Sequence, residues 1–208
     1  MLEKKIILVG GFHEMIELCE QCNVSIVGIF DNDRTGEYMN YKILGTDQDA
    51  KNKADQYKQF PVILSPDKPS LREKLFHFYQ DAGYSFEGLI SPTACISRTA
   101  RIDRLAVIQH GVNVSANASI GSLVKLNSLC NIMHDAIVDD FTTVAPNAVV
   151  LGYVKIGRGC YIGANSTILP EKKLGHRIMV GAGAVVTKDV PDDMTIAGVP
   201  ARGIKSGK

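Results

Sequence analysis

Tryptophan is absent from the 208 residues, and no run of 18 apolar residues occurs, so no segment is predicted to cross a membrane as a helix. Net charge is almost missing too, with 23 Lys and Arg against 22 Asp and Glu. Together with a hydrophobic fraction of 45%, that balance excludes a disordered polyelectrolyte and gives no reason to expect nucleic acid as a partner. Cysteine is scarce and odd in number at five, which argues against a disulfide framework and for a reducing cytoplasm. The stretch 1–10 is too short and too soon interrupted for a secretory signal, so a cytoplasmic location is expected.

The two halves of the chain are built differently. Of 14 Phe and Tyr residues, 11 fall within 1–90, leaving Phe141, Tyr153 and Tyr161 for the rest. Residues 1–90 carry 10 basic and 14 acidic side chains, whereas 91–208 carry 13 and 8. Two domains are expected, 1–88 and 89–208.

The second half is organised by a period of six. Aliphatic residues stand at every sixth position from Ile90 through Ile132 and Val138 to Val186, 17 positions without an exception. With roughly a quarter of positions aliphatic in ordinary composition, chance does not produce such a run. Four residues after each aliphatic, small or β-branched residues recur, among them Ala118, Cys130, Ala136, Ala148, Cys160 and Ser166, with Lys172 as the clear break. A sixfold spacing would smear apolar residues around a helix. It suits a short strand and a corner, with one aliphatic directed inward per flat face. Three faces close one coil, and stacked coils bury a column of Ile and Val.

These hexads, the closing stretch 180–191 and the tail Ala197-Gly198-Val199-Pro200-Ala201-Arg202 resemble the hexapeptide-repeat acyltransferases across residues 90–203. The resemblance implies an all-β left-handed parallel β-helix. The left hand comes from the resemblance alone, because crossovers are right-handed as a rule.

The first half reads as α/β. Residues 4–10 form a buried strand ending at Gly10-Gly11, and 12–22 a helix with Met15, Ile16, Leu18, Cys19 and Cys22 on one face. Val24 to Phe30 is a second strand stopping at Asp31, an acid about 20 residues past the glycines. That order opens a Rossmann-like βαβ unit, although Gly10-Gly11-Phe12-His13 is a degenerate fingerprint that reads equally as a structural turn. Phe60 to Leu64 gives a third strand, and Pro69 to Ala82 a helix with Leu71, Leu75, Phe78 and Ala82 inward. A small parallel sheet of three or four strands is expected.

A βαβ domain followed by such a β-helix is similar to the nucleotide amino-sugar acetyltransferases of the PglD, PerB and VioB type, to which the sialic acid O-acetyltransferase NeuD is related. The resemblance implies a first domain that holds a nucleotide-activated amino sugar, linked to dTDP or UDP. It implies acetyl-CoA as co-substrate along the β-helix, with no metal, and a homotrimer with its grooves between subunits. By the same resemblance His134 is the general base and Asp135 its orienter. Main-chain groups at Thr143, Ala164 and Ala182 meet acetyl-CoA, with His standing in several members where Thr143 stands here. The sugar nucleotide falls to Gly11, Phe12, His13, Asp31, Asn32 and Ser65, and Asp31 is expected to bond the base or ribose.

The chemistry fits those residue types. A neutral sugar amine must lose a proton as it attacks a thioester, and a neutral imidazole accepts one near pH 7. A carboxylate on the other ring nitrogen fixes the tautomer and steadies the imidazolium. Without the resemblance, His134-Asp135 reads as a solvated pair. His110 and His176 lie 24 residues before and 42 after His134, hence on other corners of an 18-residue coil, and no His-rich zinc set forms. Cys19 and Cys22 make a C-x-x-C that is better read as helix packing, and Cys130 and Cys160 fill inward slots. The expected activity is acetyl transfer to the 4-amino group of a nucleotide-linked 4-amino-4,6-dideoxy sugar by direct attack. The alternatives are O-acetylation of a sugar or sialic acid, and a β-helix scaffold without catalysis.

Overall fold

In the computed structural model, which describes residues 4–204, the chain divides into two compact units between Leu89 and Ile90. The first begins with β1 (Lys5–Val9), whose Ile6, Ile7, Leu8 and Val9 are buried. Gly10, at φ +88°, turns the chain into α1 (His13–Gln21) and then β2 (Ser25–Phe30). There follow β3 (Glu37–Tyr38), β4 (Tyr41–Gly45), α2 (Asp47–Asn52), α3 (Ala54–Tyr57), β5 (Val62–Leu64) and α4 (Pro69–Asp81). The sheet order is β3-β4-β2-β1-β5, parallel apart from the β3–β4 hairpin.

That sheet corrects the expectation of three or four parallel strands. The hairpin turns on Met39 and Asn40 with φ of 48° and 65°. A two-residue turn with both angles positive is normally announced by Asn-Gly or Asp-Gly, and this one carries no glycine. The face of α4 is a second correction. Its buried residues are Pro69, Arg72, Leu75 and Tyr79, while Leu71 is 42% exposed, and Phe78 and Ala82 are half-buried. The Arg72 guanidinium donates to the Pro66 and Asp67 carbonyls at 2.7 and 3.1 Å, and the Tyr79 hydroxyl donates to Asp47 Oδ1 at 2.8 Å. Polar side chains are buried when their bonds are made, and an apolar-stripe count cannot see that. On α1, Met15, Ile16, Leu18 and Cys19 are buried as expected, but Cys22 closes the helix and is only partly covered.

From Ile90 onward the chain winds through two-residue strands on three faces, the strands up to Thr167–Ile168 pairing in parallel with the strand 18 residues on, and a closing strand, Thr195–Ala197, pairing antiparallel with Arg202–Gly203. The first face carries Ile96, Val114, Ile132, Val150, Ile168 and Val186. The second carries Ile102, Ile120, Val138, Ile156 and Leu174. The third runs Ile108, Leu126, Val144, Ile162 and Val180, then continues into Thr195–Ala197. This is a parallel β-helix. Its core is one column of those aliphatics with Ala118, Cys130, Ala136, Ala148, Val154 and Cys160 in the small slots. Two buried hydroxyls of the coils are satisfied: Thr142 Oγ1 donates to the Gly157 carbonyl at 3.0 Å, and Ser166 Oγ to that of Gly163 at 2.6 Å.

Three members of the hexad run depart from full burial. Ile90 is 44% exposed and Ile96 and Ile102 are partly covered, because the first coil has a neighbour on one side only. Lys172 interrupts the small slot and is half-buried.

Candidate active site

From Gly111 to Gly183 the chain passes a corner two to three residues after each inward aliphatic, and the second corner residue takes a left-handed conformation. After the first face this column reads Asn117, Asp135 and Tyr153, with φ of 59°, 58° and 60°. Short Asn and Asp side chains tolerate that region better than others do. Asp135 therefore sits where its carboxylate turns back on the preceding residue: His134 Nδ1 lies 3.0 Å from Asp135 Oδ2. A carboxylate only accepts, so Nδ1 carries the proton and Nε2 has the lone pair. Among the described residues Nε2 has no hydrogen-bond partner, and the His134 side chain is 52% exposed. The structure thus brings the predicted base and its orienter together with the accepting nitrogen open.

Two further residues complete this corner. Asn117 Nδ2 donates to the other Asp135 oxygen at 3.2 Å, and the Tyr153 ring stands edge-on to the imidazole, 5.2 Å between centroids at 85°. The bond to His134, followed by those from Asn117 and Tyr153, holds the Asp135 carboxyl below the usual carboxylate range against a small desolvation cost. The floor is Gly152, where an added Cβ would lie 2.7 Å from His134 Cε1 and Nε2. Sequence reading missed Asn117, Gly152 and Tyr153. The signal was present, since each lies 17 to 19 residues from the dyad, one coil away.

The predicted acetyl-CoA residues fall elsewhere on the β-helix. Thr143 lies in a strand of the third face and is buried, with its amide N–H bonded to the Cys160 carbonyl at 2.9 Å. Ala164 and Ala182 occupy successive coils at the corner after the third face, where Gly183 N–H donates to the Ala164 carbonyl at 2.8 Å. Among the described residues, neither the Ala164 nor the Ala182 N–H is bonded within the chain. Small side chains and unused amides fit a pantetheine arm, which needs close approach and amide pairing. The His134 corner bounds the first and second faces, whereas Ala164 and Ala182 bound the third and first. One chain does not bring them together.

In the first unit a cavity of about 340 Å³ is lined by Gly10, Gly11, Phe12, Asp31, Asn32 and Ser65, with Arg34 and Asp47. His13 is not among its lining residues and stacks its ring beside Phe12 at 5.2 Å. Asp31 Oδ2 accepts from Gly11 N–H at 2.6 Å and Arg34 at 3.0 Å, and Oδ1 accepts from Asp33 N–H at 2.8 Å. Burial raises the Asp31 carboxyl, but those three donors outweigh it and keep it below its ordinary value. The acid is thus spent largely on locking the glycine turn. Asn32 is similarly engaged, donating to Asp47 Oδ2 at 2.6 Å and accepting from Asp47 N–H at 2.9 Å. Arg34, stacked 4.5 Å over Tyr38, is the cation among the lining residues and was not foreseen. Its signal was a basic residue three positions past the acid. Asp47, at the start of α2, gave none.

The buried thiols are poor nucleophiles: burial pushes Cys19 to about 12 and Cys160 to about 11, and raises Cys130 further. No group of three or more potential metal-ligating side chains occurs among the described residues, nor does any described helix suit a membrane.

Comparison with known proteins bears on both units. Residues 135–170 match the family model described as bacterial transferase hexapeptide (six repeats). The GDP-perosamine N-acetyltransferase of Escherichia coli O157:H7 is 30% identical over 157 residues, which cover 71% of this chain and 68% of that protein. A crystal structure of the GDP-perosamine N-acetyltransferase of Caulobacter crescentus, a histidine-to-alanine variant in complex with CoA and GDP-perosamine, superposes with a TM-score of 0.91 at 26% identity over 99% of both chains. The acetyltransferase domain of PglB from Neisseria gonorrhoeae, in complex with acetyl coenzyme A, gives 0.88 at 25% identity, over 97% of this chain and all of that one. Against the bifunctional GlmU protein of Anaplasma marginale the chain spans a quarter of the relative's length, 25%, at 29% identity.

Proposed function

Because the chain belongs to the hexapeptide-repeat sugar acetyltransferases, we propose that it transfers an acetyl group from acetyl-CoA to the 4-amino group of a nucleotide-linked 4-amino-4,6-dideoxy sugar. The observation that carries this reading is the His134–Asp135 pair, with Nδ1 held by the carboxylate at 3.0 Å and Nε2 open. The glycine-turn cavity of the first unit supports a nucleoside diphosphate as the handle. Two of the relatives named above, those of Escherichia coli O157:H7 and Caulobacter crescentus, are GDP-perosamine N-acetyltransferases, which puts GDP beside dTDP and UDP as a candidate nucleotide.

The step runs by direct attack. The neutral amine forms a C–N bond to the thioester carbonyl carbon while its proton passes to His134 Nε2, giving a tetrahedral intermediate and an imidazolium that Asp135 stabilises. Collapse breaks the C–S bond, and the CoA thiolate leaves and takes the proton back from Nε2. The Ala164 and Ala182 amides present donors to the carbonyls of the CoA arm. No acyl-enzyme is needed, in keeping with thiols that burial has quieted.

The test is CoA release from acetyl-CoA with GDP-, dTDP- and UDP-linked 4-amino-4,6-dideoxy sugars. One of them is expected to turn over and yield an acetamido product. Release of CoA only with hydroxyl-bearing sugars would overturn the reading in favour of O-acetylation, and no release with any acceptor would overturn it in favour of a scaffold.

A further inference from the structure

We propose that Asn117 and Tyr153, one coil to either side of Asp135, are positioning residues that hold the His134–Asp135 pair in register. The proposal rests on the reading of His134 as the base. It needs no new site, since it concerns how an exposed pair is made rigid. A His–Asp pair with 52% and 31% of its side chains exposed would ordinarily sample many rotamers, and a surface pair of that kind contributes little by itself.

Here the coil period removes that freedom. Asp135 N–H bonds the Ala116 carbonyl at 2.9 Å and Tyr153 N–H bonds the His134 carbonyl at 3.1 Å, so three coils stack their corners in register. Asn117 Nδ2 then takes Asp135 Oδ1 at 3.2 Å and leaves Oδ2 for the imidazole. With one oxygen anchored below, the carboxylate cannot rotate away from Nδ1. Tyr153 closes the ring from above, its edge arrangement being the preferred one for two aromatic rings. Gly152 leaves no side chain under Nε2. The fixed imidazole therefore directs its lone pair outward with little conformational search, which is how a positioned base exceeds a free one. The charged group facing His134 is Asp135, with Arg98, Glu171, Lys188 and Asp189 farther along the same corner column.

Asn117→Gly separates positioning from folding, because glycine accepts the left-handed conformation that Asn117 adopts at φ 59°. Expected is a kcat lowered by about tenfold to a hundredfold, the range for a misplaced catalytic group, with the KM for acetyl-CoA unchanged and the melting temperature near that of the wild type. Tyr153→Leu should lower kcat more than Tyr153→Phe, which keeps the ring edge.

An NMR titration of the His134 imidazole in the unliganded protein supplies a readout besides turnover. In the wild type Nδ1 should be the protonated nitrogen throughout the neutral form, and in Asn117→Gly the two tautomers should mix. Wild-type turnover and an unmixed Nδ1–H tautomer in Asn117→Gly would overturn the proposal. If instead the wild type acetylates none of the sugars, the functional reading falls, and the tautomer measurement alone decides whether Asn117 holds the pair.

Discussion

At the scale of single residues, His134 is asked to do the proton transfer and Asp135 to prepare it. His134→Ala should lower turnover by about 10²–10⁴-fold, the usual contribution of a positioned general base, while acetyl-CoA binding by calorimetry stays nearly intact. Asp135→Asn should cost less, because the imidazole remains. The rate should rise with pH as the imidazole becomes neutral, and the Asp135 carboxyl, held below its ordinary range, stays ionised across that rise. An amine substrate adds its own ionisation. Repeating the profile with Asp135→Asn separates the two, since only the enzyme's limb should respond and the amine limb should stay in place. A His134→Ala enzyme with wild-type kcat at saturating substrates would remove His134 from this role. The pair was singled out in the sequence through the family resemblance, since its phase in the hexad alone reads as a solvated corner. Asn117, Gly152 and Tyr153 were not singled out, because their part depends on contacts across 18 residues and not on neighbours in the chain.

At the scale of elements, the glycine turn before α1 works only as Asp31 holds it. Asp31 Oδ2 sits 2.6 Å from Gly11 N–H and would lie 3.1 Å from a Cβ at that position, so turn and acid are mutually fitted. Asp31→Ala should abolish most of the melting-temperature increase given by the preferred nucleoside diphosphate. Ligand at 100 times its dissociation constant stabilises by about 2.7 kcal/mol, an effect that thermal denaturation resolves easily. Retention of the full increase in the variant would show that the nucleotide binds elsewhere. The coils obey a different rule, in which each hexad depends on the coils beside it. Ile132→Ala, fully buried in mid-column, should cost about 2–5 kcal/mol, whereas Ile96→Ala, half-covered at the open end, should cost less. Equal losses in denaturant titrations would contradict the stacked-column account. The hexad column was readable in full because one spacing encodes one direction. The β3–β4 hairpin, without a turn glycine, and the α4 face, buried through Arg72 and Tyr79, were not, because hydrogen bonds rather than hydropathy decide them.

At the scale of the whole molecule, the separation of the dyad from the unused amides has a consequence for assembly. His134 stands at the corner after the first face, Ala164 and Ala182 at the corner after the third, and a rigid coil offers no motion that joins them. A cyclic trimer would set the His134 corner of one chain against the amide corner of the next, giving three equivalent sites. Sedimentation should therefore report a trimer, and a monomer at micromolar concentration would leave each site half built. Subunit mixing tests the division of labour directly. His134→Ala lacks the base, and Ala182→Trp fills the amide corner, so each variant alone should be inactive. Chains of the two variants refolded together should regain activity, because each mixed trimer contains one junction where an intact His134 meets an intact Ala182. That predicts roughly one third of the wild-type rate per mixed trimer. A site contained within one chain predicts no recovery at any mixing ratio.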